Sequence, residues 1–132
     1  MKMEMVMKNK FLIVVMAGVM MAAAGPLLAH HGTAAYNTKD PVTVSGTVTD
    51  FQFLNPHSIV SFDVKGEKGD VEKWQGELTS PNRLVRFGWN KNSLKAGDKV
   101  TVTGSRAMSG ANSVWITKVI SNGEELKLGA GD

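Results

Sequence analysis

No cysteine occurs in the 132 residues. That absence excludes disulfide staples, thiolate metal sites and every form of cysteine chemistry, so the chain must be stabilised by packing alone. Histidine is scarce, with His30 and His31 side by side and His57 far from them. A Gly-x-Ser-x-Gly elbow is missing, and the run from Gly104 to Gly110 has neither the Lys-Ser/Thr ending nor the following helix of a phosphate loop. No Ser-His-Asp set can be ordered either, since His57 would be its lone base. The carboxylates Asp50, Asp63, Asp70, Glu72 and Glu77 are spread over strands and turns in the manner of solvated faces. On these absences the chain is expected not to be an enzyme.

What is present begins with a segment that differs from the rest. Lys2, Lys8 and Lys10 precede a continuously apolar or small run from Phe11 to Ala24, Gly25-Pro26 breaks it, and Leu27-Leu28-Ala29 offers a small residue for cleavage. This is the layout of a secretory signal peptide over residues 1–29, with cleavage expected after Ala29 and an uncleaved anchor as the alternative, since Phe11 to Ala29 approaches the ~20 residues of a membrane-spanning helix. Seven of the eight methionines fall within it. Its three lysines and Glu4 contribute a surplus of +2, so the remainder keeps only +1 of the formal +3. Nucleic acid is therefore an unfavoured partner, because its binders show a concentrated basic face. The 103 residues that remain suffice for one small domain in the periplasm or outside the cell, with no membrane span.

Residues 30–41 have no sustained period and read as an extended arm with one anchor in Tyr36. From Val42 the pattern alternates: Val42, Val44, Gly46 and Val48 share one face, and Thr43, Ser45, Thr47 and Thr49 the other. Past Asp50 the apolar set shifts to Phe51 and Phe53, a one-residue change of phase that predicts a β-bulge and a sharp bend. Asn55-Pro56 ends this strand. Ser58 to Lys65 and Val71 to Leu78 form a hairpin around Gly66-Glu67-Lys68-Gly69-Asp70. Ser80 as cap, Pro81 in the first turn, Leu84, Val85 and Phe87 on an apolar side and Gly88 at the end give one short helix. Lys99 to Thr103 makes a fourth strand. Ser113 to Ile120 makes a fifth, with Val114, Ile116 and Ile120 on one parity and Trp115 and Val119 on the other. A short extra strand is expected near Leu126 and Leu128, and residues 129–132 read as a loose tail.

Five strands, a bent first strand and a helix between the third and fourth give an all-β class and an OB-like barrel over residues 42–128. A small β-sandwich is the alternative, and it leaves the helix unexplained. The stretches HHGTAAY, PVTVSGTVTDFQFLNPHSIV, WQGELTSPNRLVRFGW and LKAGDKVTVTG together resemble a family of small exported bacterial proteins catalogued as a domain of unknown function. Matching positions are His30, His31, Asn55, Pro56, His57, Ser80, Pro81, Asn82, Gly88 and Trp89. The family often carries an acidic residue after the histidine pair, where this chain has Ala34-Ala35-Tyr36. The resemblance implies an exported single barrel and no established activity.

Two binding chemistries are open. Cleavage after Ala29 would make His30 the amino terminus, whose amine and imidazole chelate one ion together; His31 adds a second imidazole and His57 a third. Nitrogen donors of this kind suit copper(II), while zinc lacks the usual cysteine or carboxylate company. Such a site would empty as the pH falls toward 5 and its ligands take protons. The plain reading of the same residues is a solvated arm and a turn histidine. The second chemistry is an oligosaccharide, peptide or exported protein held on the barrel surface by Trp74, Arg83 and Trp89, with Trp115, Arg86 and Arg106 also available. Against it, core packing is the ordinary fate of strand indoles such as Trp74 and Trp115, and Trp89 after Gly88 suits the covering of a barrel end.

Overall fold

The structure, a computed structural model, describes residues 33–129. The leader, the pair His30 and His31, and residues 130–132 lie outside those described residues. The strands are β1 (Tyr36–Gln52), β2 (Ile59–Lys65), β3 (Val71–Glu77), β4 (Lys99–Ala107), β5 (Ser113–Ser121) and β6 (Glu124–Leu126). One helix, α1 (Pro81–Leu84), continues into a 3₁₀ turn at Val85–Phe87 and falls between β3 and β4. Among the described residues no helix is long and apolar enough to cross a membrane.

β1 pairs antiparallel with β2 along its second half and with β4 along its first. β4 pairs with β5, and β5 meets β3 in parallel at Gln75↔Ser113, Gly76↔Val114 and Glu77↔Trp115. That last ladder closes a five-stranded barrel in the order β1-β2-β3-β5-β4, with β6 added along β5. This is the strand arrangement of an OB-fold, and closure leaves few edges for another chain to extend. Glycines at the strand crossings make room for close neighbours. A Cβ at Gly46 would strike the carbonyl of Asp63 where β1 curves across β2, and one at Gly76 would overlap Ile116 and Val60 beside the closing seam.

The alternation of β1 is realised, with Val48 buried and Val42 and Val44 packed against the core. Its phase change is a bulge: Val48 faces Phe62 and Asp50 faces Ser61, so Thr49 is the extra residue. β1 also starts earlier than the alternation suggests. Tyr36 pairs with Ala107, the register then slips, and pairing resumes at Pro41. A second bulge lies in β5, where Thr103 faces Lys118 but Gly104 faces Ile116. Thr117 is the surplus residue, and beyond it the parity reverses. Val119 is therefore fully buried and Ile120 only partly so, the opposite of their expected grouping.

The core joins Val60, Phe62, Trp74 and Leu78 of the hairpin side to Val100, Val102, Val114, Ile116 and Val119, with Leu84, Trp89 and Leu94 closing one end. The helix enters at Pro81, as Pro at a first helical position allows. Ser80 stands at the cap but its side chain makes no cap bond; its carbonyl instead accepts from the Arg83 and Leu84 amides. Gly88 ends the segment in the left-handed region at φ 89°. Of the expected apolar side only Leu84 is buried, while Val85 and Phe87 stand 52% and 42% exposed. The four-residue helix turns Pro81 and Leu84 inward, three positions apart on one face, while Val85 and Phe87 fall in the following 3₁₀ turn, which buries no residue.

Candidate functional site

The site is assembled by the seam that closes the barrel. Trp74 and Gly76 of β3, and Leu78 just beyond it, face the core, so Glu77 faces outward, and its register partner Trp115 does the same from β5. Ser113 shares that outer face two residues earlier. The loop from β1 to β2 arrives at the same place, because Ile59 pairs with Glu77. Ser58 anchors it: its amide donates to the Thr79 carbonyl at 3.3 Å, and its own carbonyl accepts from Leu78 at 2.8 Å. His57, one residue earlier and just after the cis bond Asn55-Pro56, is thereby laid against Glu77.

The contacts form a closed ring of four side chains from four parts of the chain. His57 Nδ1 is hydrogen-bonded to Glu77 Oε1. The Tyr36 hydroxyl donates to Glu77 Oε2 at 2.7 Å and lies 3.4 Å from Ser113 Oγ. Tyr36 packs its ring against Trp115 at 6.1 Å between centroids, and Trp115 meets His57 nearly edge-on at 5.1 Å and 81°. His57 and Glu77 keep 25% and 23% of their side-chain surface exposed, which places the ring between core and water. Burial pushes the Tyr36 phenol above its ordinary value; the Ser113 bond pulls the other way, and the Glu77 carboxylate pushes it further up. An ionised carboxylate can only accept, so Nδ1 is the donor of this bond, and in the neutral imidazole Nε2 then keeps its lone pair.

Two expectations change here. Glu77 is not a solvated strand carboxylate; the parallel β3–β5 ladder brings it under His57 and Tyr36, a juxtaposition that local spacing does not reveal. Trp115 does not join the core. It packs on the outer wall against His57 and Tyr36. Of the three expected metal ligands only His57 lies among the described residues, and there no group of three His, Asp or Glu side chains is close enough to hold a metal ion.

The expected surface ligands have separate settings. Trp74 is buried 8% exposed, lies over Phe62, donates from Nε1 to Glu72 at 3.1 Å and carries the Arg106 guanidinium 5.1 Å from its ring. Trp89 is buried beside Phe51, and its indole N–H donates to the Lys127 carbonyl at 2.7 Å. Arg83 lines a shallow hollow with Ser80, Asn82, Arg86 and Phe87. Both indoles thus spend their polar atoms internally, as buried tryptophans do.

Residues 17–115 match the model of a family described as a family of unknown function, DUF6152. The chain belongs to that family. The match takes in β1 to β3, the helix, β4 and the first part of β5, so every member of the ring of contacts lies inside it. No curated protein matches the sequence. Among solved structures, one similar chain is that of the crystal structure of the ZRD-deleted mutant of TiaS in complex with agmatine, at 19% identity and a TM-score of 0.46. The alignment covers 72% of this chain and 26% of that one, so this chain spans about a quarter of its length. A likeness at that level bears on neither mechanism nor ligand.

Proposed function

We propose that this protein is an exported accessory module, periplasmic or secreted, that binds copper(II) through His57 together with the arm residues His30 and His31. The observation that carries the reading is the link from Tyr36 through Glu77 to His57. It fixes the first strand residue within one carboxylate of the barrel histidine. His31 precedes Tyr36 by only five residues, a reach of at most ~18 Å when extended. His57 also has the partner that metal-binding histidines generally have, a carboxylate on the ring nitrogen that does not bind the ion. Copper(II) is favoured over other divalent ions because the donors are imidazole and amine nitrogens and none is sulfur.

The test is a copper(II) titration of the exported protein followed by electron spin resonance, with its intact mass measured first. A mature chain beginning at His30, nitrogen hyperfine structure in the spectrum and at least a tenfold weaker affinity in His57→Ala are expected. A chain beginning at His31 or later, or an affinity unchanged by His57→Ala, overturns the three-histidine site.

A further inference from the structure

Resting on that reading of the site, we infer that Glu77 and Tyr36 are positioning residues that fix His57 as an Nε2 donor. A free imidazole side chain exchanges its proton between two nitrogens and favours Nε2–H, the form that offers Nδ1. The contacts around His57 impose the reverse. Glu77 Oε1 accepts a hydrogen bond from Nδ1–H, and the Tyr36 hydroxyl at 2.7 Å occupies the other oxygen. With both oxygens engaged, the carboxylate cannot turn away from the imidazole without giving up the phenol as well. Trp115 blocks the remaining freedom from the side, since its edge-on contact at 5.1 Å opposes rotation of the imidazole about its own bond to the chain.

The backbone makes the arrangement rigid. Glu77 and Trp115 are register partners across the closing ladder, so the two groups that hold His57 cannot separate while the barrel is closed. Tyr36 enters from a third strand, paired to Ala107 and followed by a slip in register. The Met108 amide donates to the Ala35 carbonyl at 2.9 Å, which extends the pairing one residue ahead of Tyr36. Through Tyr36 the start of β1 is tied to the orientation of the donor. Partial burial strengthens each bond in the ring, because charge-assisted hydrogen bonds gain as water is withdrawn.

The experiment measures the imidazole nitrogen shifts of the metal-free protein at pH 8 and then the copper(II) affinity of variants. His57 in the unaltered protein is expected with a protonated Nδ1 and an unprotonated Nε2. Glu77→Ala is expected to return it to the mixture seen in free histidine and to weaken copper binding by about 10- to 100-fold, the usual effect of losing such a partner. Tyr36→Phe keeps the ring against Trp115 and removes only the hydroxyl; a smaller loss in the same direction is expected. Glu77→Gln, which retains an accepting oxygen, is expected to recover part of the affinity lost in Glu77→Ala. A protonated Nε2 in the unaltered protein overturns the inference without any variant. So does copper affinity that falls in His57→Ala but is unmoved in Glu77→Ala, an outcome that leaves the copper reading standing. Affinity unmoved in His57→Ala overturns the copper reading itself, while the nitrogen shifts still decide the tautomer.

Discussion

At Tyr36 a phenol that burial holds protonated donates to a carboxylate already shared with an imidazole. The folded protein keeps this proton more tightly than the unfolded chain does. Stability is therefore untouched below the ordinary tyrosine value of ~10 and is lost as the pH rises from there through the higher folded value. Urea midpoints are expected to fall between pH 9 and 11.5 in the unaltered protein and to fall less in Tyr36→Phe; equal declines would contradict the assignment. Next to His57, the fully buried Ser58 hydroxyl has no hydrogen-bond partner among the described residues. A buried group left in that state costs about 1–3 kcal/mol. Ser58→Ala is expected to leave the melting temperature unchanged or raise it, and a drop of several degrees would mean that the hydroxyl is satisfied.

The elements owe their shape to places where the strand period is broken. The bulge in β1 was legible because Val48 and Phe51 are three apart, an odd step that switches the face, and the register places it at Thr49. Thr117 was not, because Val119 and Ile120 are both apolar and either parity looks acceptable in the sequence; only the pairing of Gly104 with Ile116 decides it. The helix was legible in its ends, Pro81 and Gly88, and misread in its face, since Val85 and Phe87 are turned outward by a segment too short to bury a stripe. At the closing seam Gly76 leaves room for Ile116 and Val60. Gly76→Ala is expected to destabilise the barrel by about 1–3 kcal/mol through overpacking, read as a lower denaturant midpoint. A neutral substitution would show that the seam gives way more easily than its contacts suggest.

For the whole molecule, closure of the barrel is what creates the candidate site. His57 stood out in the sequence because histidine is rare, yet its partners did not. Glu77 follows an ordinary strand alternation, Tyr36 lies in a stretch without period, and Trp115 resembles any strand indole. They meet because β3 and β5, nearly forty residues apart, run side by side in parallel. Long-range pairing of that kind leaves no mark in local spacing, which is why five strands could be placed and a four-residue contact ring could not. One end of the barrel core is closed by Trp89, whose indole N–H donates to the Lys127 carbonyl. Trp89→Phe fills most of the same space but leaves that carbonyl unbonded, and a loss of about 1 kcal/mol is expected in a thermal melt.

The central claim is that His57, held by Glu77, supplies a metal donor from the barrel wall. Pulsed electron spin resonance on the copper(II)-loaded exported protein tests it most directly, because the remote nitrogen of each bound imidazole modulates the echo. The account predicts that His57→Ala removes one such imidazole contribution. An echo pattern identical in the unaltered protein and in His57→Ala would contradict it.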